Sequence, residues 1–143
     1  TTGQVYAFGA TGISQLENAY AQNEKNPEKY VELINNGQFT IEKGYHLNRQ
    51  EKIIRHVINE IMCNEYVSFA ETAEKFNTSN EEIKNVLQFN QKLFDEFVAD
   101  EILKIDSEEN FQITETGRFF IRNIAAQFDP NLQNGTKRFS KAL

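Results

Sequence analysis

Apolar and polar positions along the chain follow two spacings, and the change between them predicts the elements. Apolar residues alternate with polar ones over 111–113, which indicates a strand. After Thr114 they recur every three or four residues, which predicts a helix over 117–128, with Thr114 as its N-cap and Asp129-Pro130 closing it. The expected apolar face of this helix consists of Phe120, Ile121, Ile124, Ala125 and Phe128.

Three earlier helices are predicted by capping pairs, in which Ser or Asn is followed three residues later by Glu. The pairs at 48/51, 68/71 and 79/82 predict helices to about residue 63, over 69–76 and from 80 to about 99. A hairpin of strands at 102–105 and 111–113 follows. Three helices, a two-stranded wing and a closing helix predict a winged-helix-like domain over 47–130.

The first part of the chain is predicted to be a strand, a turn and a helix. Residues 5–8 form an apolar run, glycines stand at 9 and 12, and Ser14 with Glu17 predicts a helix to about Gln22. An apolar strand entering a helix is half of a βα unit, and such strands are normally buried in a parallel sheet. The rest of the chain offers no obvious parallel partner. The segment 5–8 is therefore interpreted as the last strand of a sheet that is left behind in a longer parent protein.

A connecting helix is predicted to begin at Asn26-Pro27 and to end at Gly37. The predicted fold class is thus mainly α with a small β-hairpin (α+β), a winged-helix-like domain preceded by a strand-turn-helix remnant. Residues 131–143 are assigned to a basic C-terminal tail. Twelve Phe and no Trp predict a core of phenyl rings. The apolar stripe of the connecting helix contains Tyr30, Val31, Leu33 and Ile34.

The charge is distributed unevenly along the chain. The net charge is −6, yet residues 116–143 carry one acidic residue against five basic ones, whereas residues 1–115 carry twenty acidic and ten basic ones. These C-terminal cations are interpreted either as solvated charges that pair with the acidic helices or as a surface that meets an anion. Both interpretations stay open at this point.

Few residue types for catalysis are present. The one cysteine, Cys63, cannot form an internal disulfide or a thiolate metal site by itself, which suits a reducing cytoplasm. Acidic residues on the predicted long helix and in the wing turn disfavour nucleic-acid binding. No apolar run is long enough to span a membrane. Gly9 and Gly12 allow either a tight turn without a ligand or an approach of backbone amides to one.

Four segments in order along the chain form a recognisable pattern. They are Phe8-Gly9-Ala10-Thr11-Gly12-Ile13-Ser14, Tyr20-Ala21-Gln22-Asn23, Gly117-Arg118 through Arg122-Asn123-Ile124 with Phe128-Asp129, and Arg138-Phe139-Ser140-Lys141. Together they resemble the C-terminal portion of the oxygen-independent coproporphyrinogen III oxidases, radical S-adenosylmethionine enzymes of haem biosynthesis. Two positions depart from the family pattern: Thr11-Gly12 replaces the usual Ser-Ala, and Pro130 follows Asp129.

The resemblance implies a longer parent enzyme. Such an enzyme uses a 4Fe-4S cluster and S-adenosylmethionine to decarboxylate coproporphyrinogen III oxidatively to protoporphyrinogen IX. The cysteines of the cluster motif are absent from this chain, so their barrel domain is expected upstream, as its partner. Residues 1–46 are then interpreted as the remnant of the last βα unit of this TIM-like barrel with a connecting helix. The chain is then expected to act as a lid and support for an active site located elsewhere in the parent. By itself it is expected to bind no cofactor and to be inactive. The resemblance also assigns contact with a second S-adenosylmethionine to Ile13, held by Gly9 and Gly12.

The C-terminal cations supply candidates for contact with the tetrapyrrole substrate. We expect Arg122 first, then Arg118 and Arg138, to face the substrate's carboxylates, because a guanidinium binds a carboxylate through two parallel hydrogen bonds. One alternative is a winged-helix interaction or nucleic-acid-binding module, which a positive face on the long helix would favour. Another is a radical S-adenosylmethionine relative with a different substrate.

Overall fold

The computed structural model describes residues 3–133 and divides the chain into two compact units. The first unit ends at Lys52 and the second begins at Ile53. The boundary predicted after residue 46 precedes this point, which lies in the first turn of helix α2 (Arg49–Asn64). The assignment of three segments with separate roles stays a prediction, and most of the predicted basic tail lies outside the described residues.

The first unit is a three-stranded antiparallel sheet with one helix. The strands are β1 (Ile13–Gln15), β2 (Ala19–Asn23) and β3 (Ile41–His46), in the order β1-β2-β3, and helix α1 (Pro27–Asn35) connects β2 to β3. Every residue of β3 is exposed. This unit is therefore a small antiparallel meander rather than part of a βα unit.

The predicted strand-turn-helix at the start of the chain is wrong. Val5 makes only an isolated antiparallel bridge to Gln15, and residues 14–22, predicted as a helix, form a β-hairpin. The hydroxyl of Ser14 accepts a hydrogen bond from the Ala7 N–H at 3.0 Å instead of capping a helix. Strand β2 then pairs with β1 on one side and β3 on the other, so tertiary pairing overrides the local capping signal.

Helix α1 begins as predicted, but its apolar stripe is not covered. The side chain of Asn26 accepts a hydrogen bond from the Lys29 N–H, and Pro27 occupies the first helical position. No residue of α1 is buried, and more than half of the surface of Val31 and of Ile34 is exposed. The first unit by itself leaves this helix face in contact with water.

The second unit combines short helices with a second antiparallel sheet, of order β4-β6-β5. The hairpin predicted at 102–113 is confirmed as β5 and β6, and β4 adds a third strand. Among residues 3–133, no helix is both long and apolar enough to cross a membrane. After α2 the elements are β4 (Tyr66–Ser68), α3 (Phe69–Lys75), α4 (Asn80–Leu87), α5 (Gln91–Ala99), β5 (Leu103–Ile105), β6 (Asn110–Ile113), a 3₁₀ helix (Gly117–Phe120), α6 (Ile121–Ala126) and α7 (Pro130–Gln133).

Two of the predicted helices are interrupted. The long helix expected over 80–99 is two helices, because Gln88 adopts the left-handed conformation at φ +48° and ends α4. The helix expected over 117–128 begins as a 3₁₀ turn and becomes α-helical at Ile121. Its predicted apolar face is buried only at Ile124, Ala125 and Phe128.

The other three capping pairs are confirmed. The side chains of Asn48, Ser68 and Ser79 each accept a hydrogen bond from the main-chain N–H three residues later. At the first of these the Glu51 carboxylate also accepts from the Asn48 N–H at 2.9 Å, which completes the reciprocal capping box. These caps hold because the interaction is local and needs no distant partner.

Phenyl rings form the centre of the second unit, as predicted. Phe69, Phe94, Phe111 and Phe128 are each at most 1% exposed. The ring centroids of Phe69 and Phe111 are 4.7 Å apart, and those of Phe94 and Phe128 are 4.8 Å apart. Such aromatic contacts contribute beyond the area they bury. The cluster joins α3, α5, β6 and the segment after α6.

Gly117 is the position where the second unit tolerates a side chain least. An added Cβ would lie 1.9 Å from the Ile102 carbonyl oxygen, which is backbone. We expect Gly117→Ala to lower the free energy of unfolding by about 3 kcal/mol. Urea denaturation measures this free energy, and amide hydrogen exchange in β5 and β6 locates the effect. The matched control is Gly44→Ala, whose Cβ would lie 4.0 Å from its nearest neighbour. Equal midpoints for Gly117→Ala and wild type would contradict this interpretation.

Candidate functional site

The turn from Gly9 to Gly12 leads into strand β1 and is closed by its own main chain. The Gly12 N–H donates to the Gly9 carbonyl at 3.3 Å, and the Gly12 carbonyl accepts from the Asn23 N–H at 2.8 Å. Gly9 has φ +94° and Thr11 has φ +65°. Because L side chains rarely adopt such angles, glycine at position 9 relieves strain that another residue would introduce.

Gly12 is needed for packing rather than for its backbone angles. An added Cβ there would lie 3.1 Å from the Ala7 Cβ, 3.1 Å from the Gly9 carbonyl oxygen and 3.3 Å from Asn23 Nδ2. At Gly9, by contrast, no atom lies within 4 Å of an added Cβ. The two glycines therefore serve different purposes, and only the space at Gly9 is open.

The side chain of Asn23, at the end of β2, holds this turn. It is 6% exposed, and its Nδ2 donates to the Gly9 carbonyl at 3.0 Å and to the Ala7 carbonyl at 3.3 Å. Its Oδ1 accepts from the Thr40 hydroxyl at 3.1 Å. Both polar atoms of the buried amide are thus used, as burial requires. Asn23 ties the turn to the segment that precedes β3.

Sequence reasoning noted Asn23 only as part of a motif and did not predict this role. The signal that could have found it is an Asn within a segment of alternating polarity, where a buried amide needs partners. The partners themselves are 14 and 16 residues away along the chain, so the sequence does not identify them.

A second support for the turn comes from the start of α1. The Gly9 N–H donates to the Tyr30 hydroxyl at 3.0 Å, and the Thr11 N–H donates to the Glu24 main-chain carbonyl at 2.9 Å. The Glu24 carboxylate lies 2.7 Å from the Lys29 ammonium, and the hydrogen bond from Lys29 lowers the pKa of Glu24 below its ordinary value. The turn is therefore hydrogen-bonded both to helix α1, through Tyr30, and to the segment after β2, through Glu24.

Ile13 presents an open main-chain edge beside the turn. In an antiparallel ladder successive residues point their N–H and C=O groups to opposite sides. The residues on either side, Gly12 and Ser14, face β2 at their paired positions, whereas Gln15 faces away and pairs with Val5. Ile13 therefore points its N–H and C=O away from β2, and its side chain is 55% exposed. Such an edge leaves one main-chain donor and one main-chain acceptor available for hydrogen bonds.

The basic candidates of the second unit differ in their surroundings. Arg118 Nε lies 2.9 Å from both carboxylate oxygens of Glu65, so this guanidinium has a protein partner. Arg122 is exposed, and residues 3–133 place no carboxylate in an ion pair with it. Arg138 lies outside the described residues. Of the three, Arg122 is the cation that the described residues leave available to an external anion.

The donor atoms of this chain do not fit an iron–sulfur cluster. Cys63 is its one cysteine, and it is exposed rather than packed. Within the described part, no group of three His, Cys, Asp or Glu side chains could hold a metal ion. A cluster held by several thiolates needs cysteines that this chain does not contain.

Comparison with known proteins finds relatives that are longer than this chain. A scan against models of protein families finds no match. The chain is 36% identical over 143 residues to an oxygen-independent coproporphyrinogen III oxidase of Synechocystis, covering 95% of this chain and 30% of the relative. An enzyme of the same name from Thermostichus vulcanus is 32% identical and is covered to 43%.

A solved structure is also similar to this chain. The coproporphyrinogen III oxidase of Escherichia coli, described as a radical SAM enzyme, matches with a TM-score of 0.72 at 26% identity, over 90% of this chain and 29% of that one. The resemblance to oxygen-independent coproporphyrinogen III oxidases is therefore confirmed in both sequence and fold. The chain spans about a third of the length of the first curated relatives it matches.

The role of Asn23 can be tested by changing its amide to a carboxylate. Asn23→Asp removes both donated hydrogen bonds and places a negative charge beside the Ala7 and Gly9 carbonyls. We expect a loss of about 3 kcal/mol of stability in the first unit at neutral pH, together with faster amide hydrogen exchange over 9–13. Asn18→Asp, at an exposed position in the same unit, is the control for the added charge. Unchanged exchange over 9–13 in Asn23→Asp would refute the assignment.

Proposed function

We propose that this chain is the C-terminal, non-catalytic portion of an oxygen-independent coproporphyrinogen III oxidase, acting as a lid and support for an active site on the rest of the polypeptide. The observation that carries the proposal is the similarity to such enzymes over 95% of this chain, with a shared fold over 90% of it. The parent converts coproporphyrinogen III to protoporphyrinogen IX in haem biosynthesis, in the cytoplasm. Alone, the chain is inactive.

The turn at 9–12 and Ile13 are assigned to cofactor binding within the parent. S-adenosylmethionine together with a 4Fe-4S cluster supplies the oxidising radical chemistry when both are bound. The cysteines for the cluster come from outside this chain, because it contains only one. The contribution of this chain is a braced turn and the open N–H and C=O of Ile13, whose position Gly9 and Gly12 determine.

The partner of the first unit is the remaining part of the same polypeptide. A unit of 52 residues has a small core and is marginally stable by itself, and this one leaves many large apolar side chains more than half exposed. Their exposure is accounted for if the upstream barrel domain covers them in the parent. The side chains are Val5, Tyr6, Phe8, Ile13, Val31, Ile34, Phe39, Ile41 and Tyr45.

The cations of the second unit are assigned to the substrate, with Arg122 first. Coproporphyrinogen III carries several carboxylates, and a free guanidinium can bind one of them through two hydrogen bonds. Arg118 is a weaker candidate because Glu65 already holds its Nε. Arg138 stays a candidate on its charge alone.

The winged-helix description of the second unit is also part of this proposal. It is supported by helices α2 to α4 preceding the β5-β6 hairpin. A nucleic-acid role finds no specific support, since Lys84 on α4 is ion-paired with Glu109 of the hairpin turn. A radical S-adenosylmethionine relative with another substrate is the second alternative, and conversion of coproporphyrinogen III distinguishes it.

The proposed activity is tested on the full-length protein, purified anaerobically. We expect bound iron and sulfide, reductive cleavage of S-adenosylmethionine, and conversion of coproporphyrinogen III to protoporphyrinogen IX. Absence of both iron and cleavage would overturn the assignment to radical S-adenosylmethionine enzymes. Cleavage without product would identify a relative with another substrate.

The role of Arg122 is tested in the same enzyme. Arg122→Ala is expected to raise KM for coproporphyrinogen III by roughly 10- to 100-fold with little change in kcat, because a charged hydrogen bond to a carboxylate is lost. Arg122→Lys keeps the positive charge but cannot form two parallel hydrogen bonds, so its KM is expected to lie between those of wild type and Arg122→Ala. The control is Lys92→Ala, which removes an exposed charge from α5. A wild-type KM in Arg122→Ala would exclude substrate contact at this residue.

A further inference from the structure

Glu65 lies between helix α2 and strand β4, and its main chain is fixed on both sides. Its N–H donates to the Ile61 carbonyl at 3.1 Å, which extends the hydrogen bonding of α2 by one residue. Its carbonyl accepts from the N–H of Ile113, in strand β6, at 2.8 Å. The carboxylate therefore projects from a point that both α2 and β6 hold in place.

The Glu65 carboxylate binds one nitrogen of the Arg118 guanidinium. Arg118 Nε lies 2.9 Å from each of the two carboxylate oxygens. A guanidinium has five N–H donors, and Nε supplies one of them. The N–H groups on its two terminal nitrogens form no hydrogen bond within residues 3–133. Glu65 thus holds Arg118 through Nε and leaves the terminal donors available to a carboxylate from outside.

This ion pair affects the orientation of Arg118 more than the stability of the fold. The side chains of Arg118 and Glu65 are 59% and 30% exposed, and exposed ion pairs contribute little to stability because water and salt screen them. An arginine without a partner samples many rotamers and loses that freedom when it binds a ligand. An arginine that is already held loses less, which lowers the entropic cost of binding.

Arg122 is a second cation close to Arg118 along the chain. It follows four residues later, where the 3₁₀ turn continues into α6, and residues four apart are neighbours on a helix surface. Like charges at this spacing repel each other, and Glu65 offsets only the charge of Arg118. Carboxylates bound by the two guanidinium groups would remove this repulsion, and each guanidinium can donate two parallel hydrogen bonds to one of them.

We propose that Glu65 is a positioning residue for carboxylate binding: it orients Arg118 so that its terminal nitrogens and Arg122 bind carboxylates of the same ligand. This inference rests on the proposed function, in which the ligand is the tetrapyrrole substrate. Arg118, the weaker candidate as a free cation, is then the member of the pair that is oriented before the ligand arrives. Glu65 itself does not touch the ligand and acts through Arg118.

The test uses two variants of the full-length protein that both remove the charge of Glu65. Glu65→Gln keeps a side-chain oxygen that accepts a hydrogen bond from Arg118 Nε, whereas Glu65→Gly removes every side-chain acceptor. Glycine suits the backbone at this position, because Glu65 has φ +58°. Fluorescence titration measures binding of coproporphyrin III, the oxidised form of the proposed substrate, and of its methyl ester, which has no free carboxylate.

We expect Glu65→Gly to bind coproporphyrin III roughly 2- to 12-fold more weakly than Glu65→Gln, which corresponds to the cost of ordering one long side chain. The urea midpoint of Glu65→Gly is expected to be no lower than that of wild type. A merely structural role would instead lower this midpoint and leave the two affinities equal. The matched control is Glu101→Gly, because Glu101 also has φ +58° and its carboxylate forms no ion pair within the described residues.

Three results would each overturn the proposal. They are equal affinities of Glu65→Gly and Glu65→Gln, equal binding of the acid and the ester by wild type, and the same loss of affinity in Glu101→Gly. Iron content, S-adenosylmethionine cleavage and product formation are measured separately on the unmodified protein. The enzyme assignment can fail in those assays while the two Glu65 variants still differ in affinity, so the two failures are distinguishable.

Discussion

The buried amide of Asn23 is the contact on which the first unit depends. One side chain satisfies two carbonyls of the preceding turn and one hydroxyl before β3. Without it, the turn at 9–12 would keep only its main-chain bonds and the bond from the Gly9 N–H to the Tyr30 hydroxyl. A buried amide is costly unless every polar atom has a partner. Because each polar atom of the Asn23 amide must have a hydrogen-bond partner, the position of the turn that supplies two of these partners is well defined.

The second unit is organised by a different constraint, which is close packing around phenyl rings. At Gly117 an added Cβ would lie 1.9 Å from the Ile102 carbonyl oxygen, and the nearby Phe119 and Phe120 are 88% and 45% exposed. The unit thus has an inner set of phenylalanines and an outer pair. Large apolar side chains are exposed in the first unit as well, among them Phe8 and Phe39.

Much of the second unit could be predicted from the sequence, whereas in the first unit only helix α1 could. The pairs Asn48/Glu51, Ser68/Glu71 and Ser79/Glu82 all cap helices, yet the same pattern at Ser14/Glu17 lies in a β-hairpin. The difference is that strand β2 finds partners on both sides, and those partners lie elsewhere in the chain. The glycines of the candidate site were recognised from the sequence. Asn23 was not, because its acceptors are set by tertiary structure.

The sequence by itself determined helix caps, the β5-β6 hairpin, a phenyl core and the resemblance to a family of enzymes. These depend on residues within a few positions of one another or on motifs that can be read directly. The break at Gln88 is local, because the hydrogen bonds that close it reach back only to Lys84 and Asn85. Tertiary structure alone decided that β2 pairs with β3 and that Glu65 binds Arg118 while Arg122 is exposed. The pairing of β2 with β3 and the Arg118–Glu65 contact join groups far apart in the chain, whose proximity no local spacing encodes.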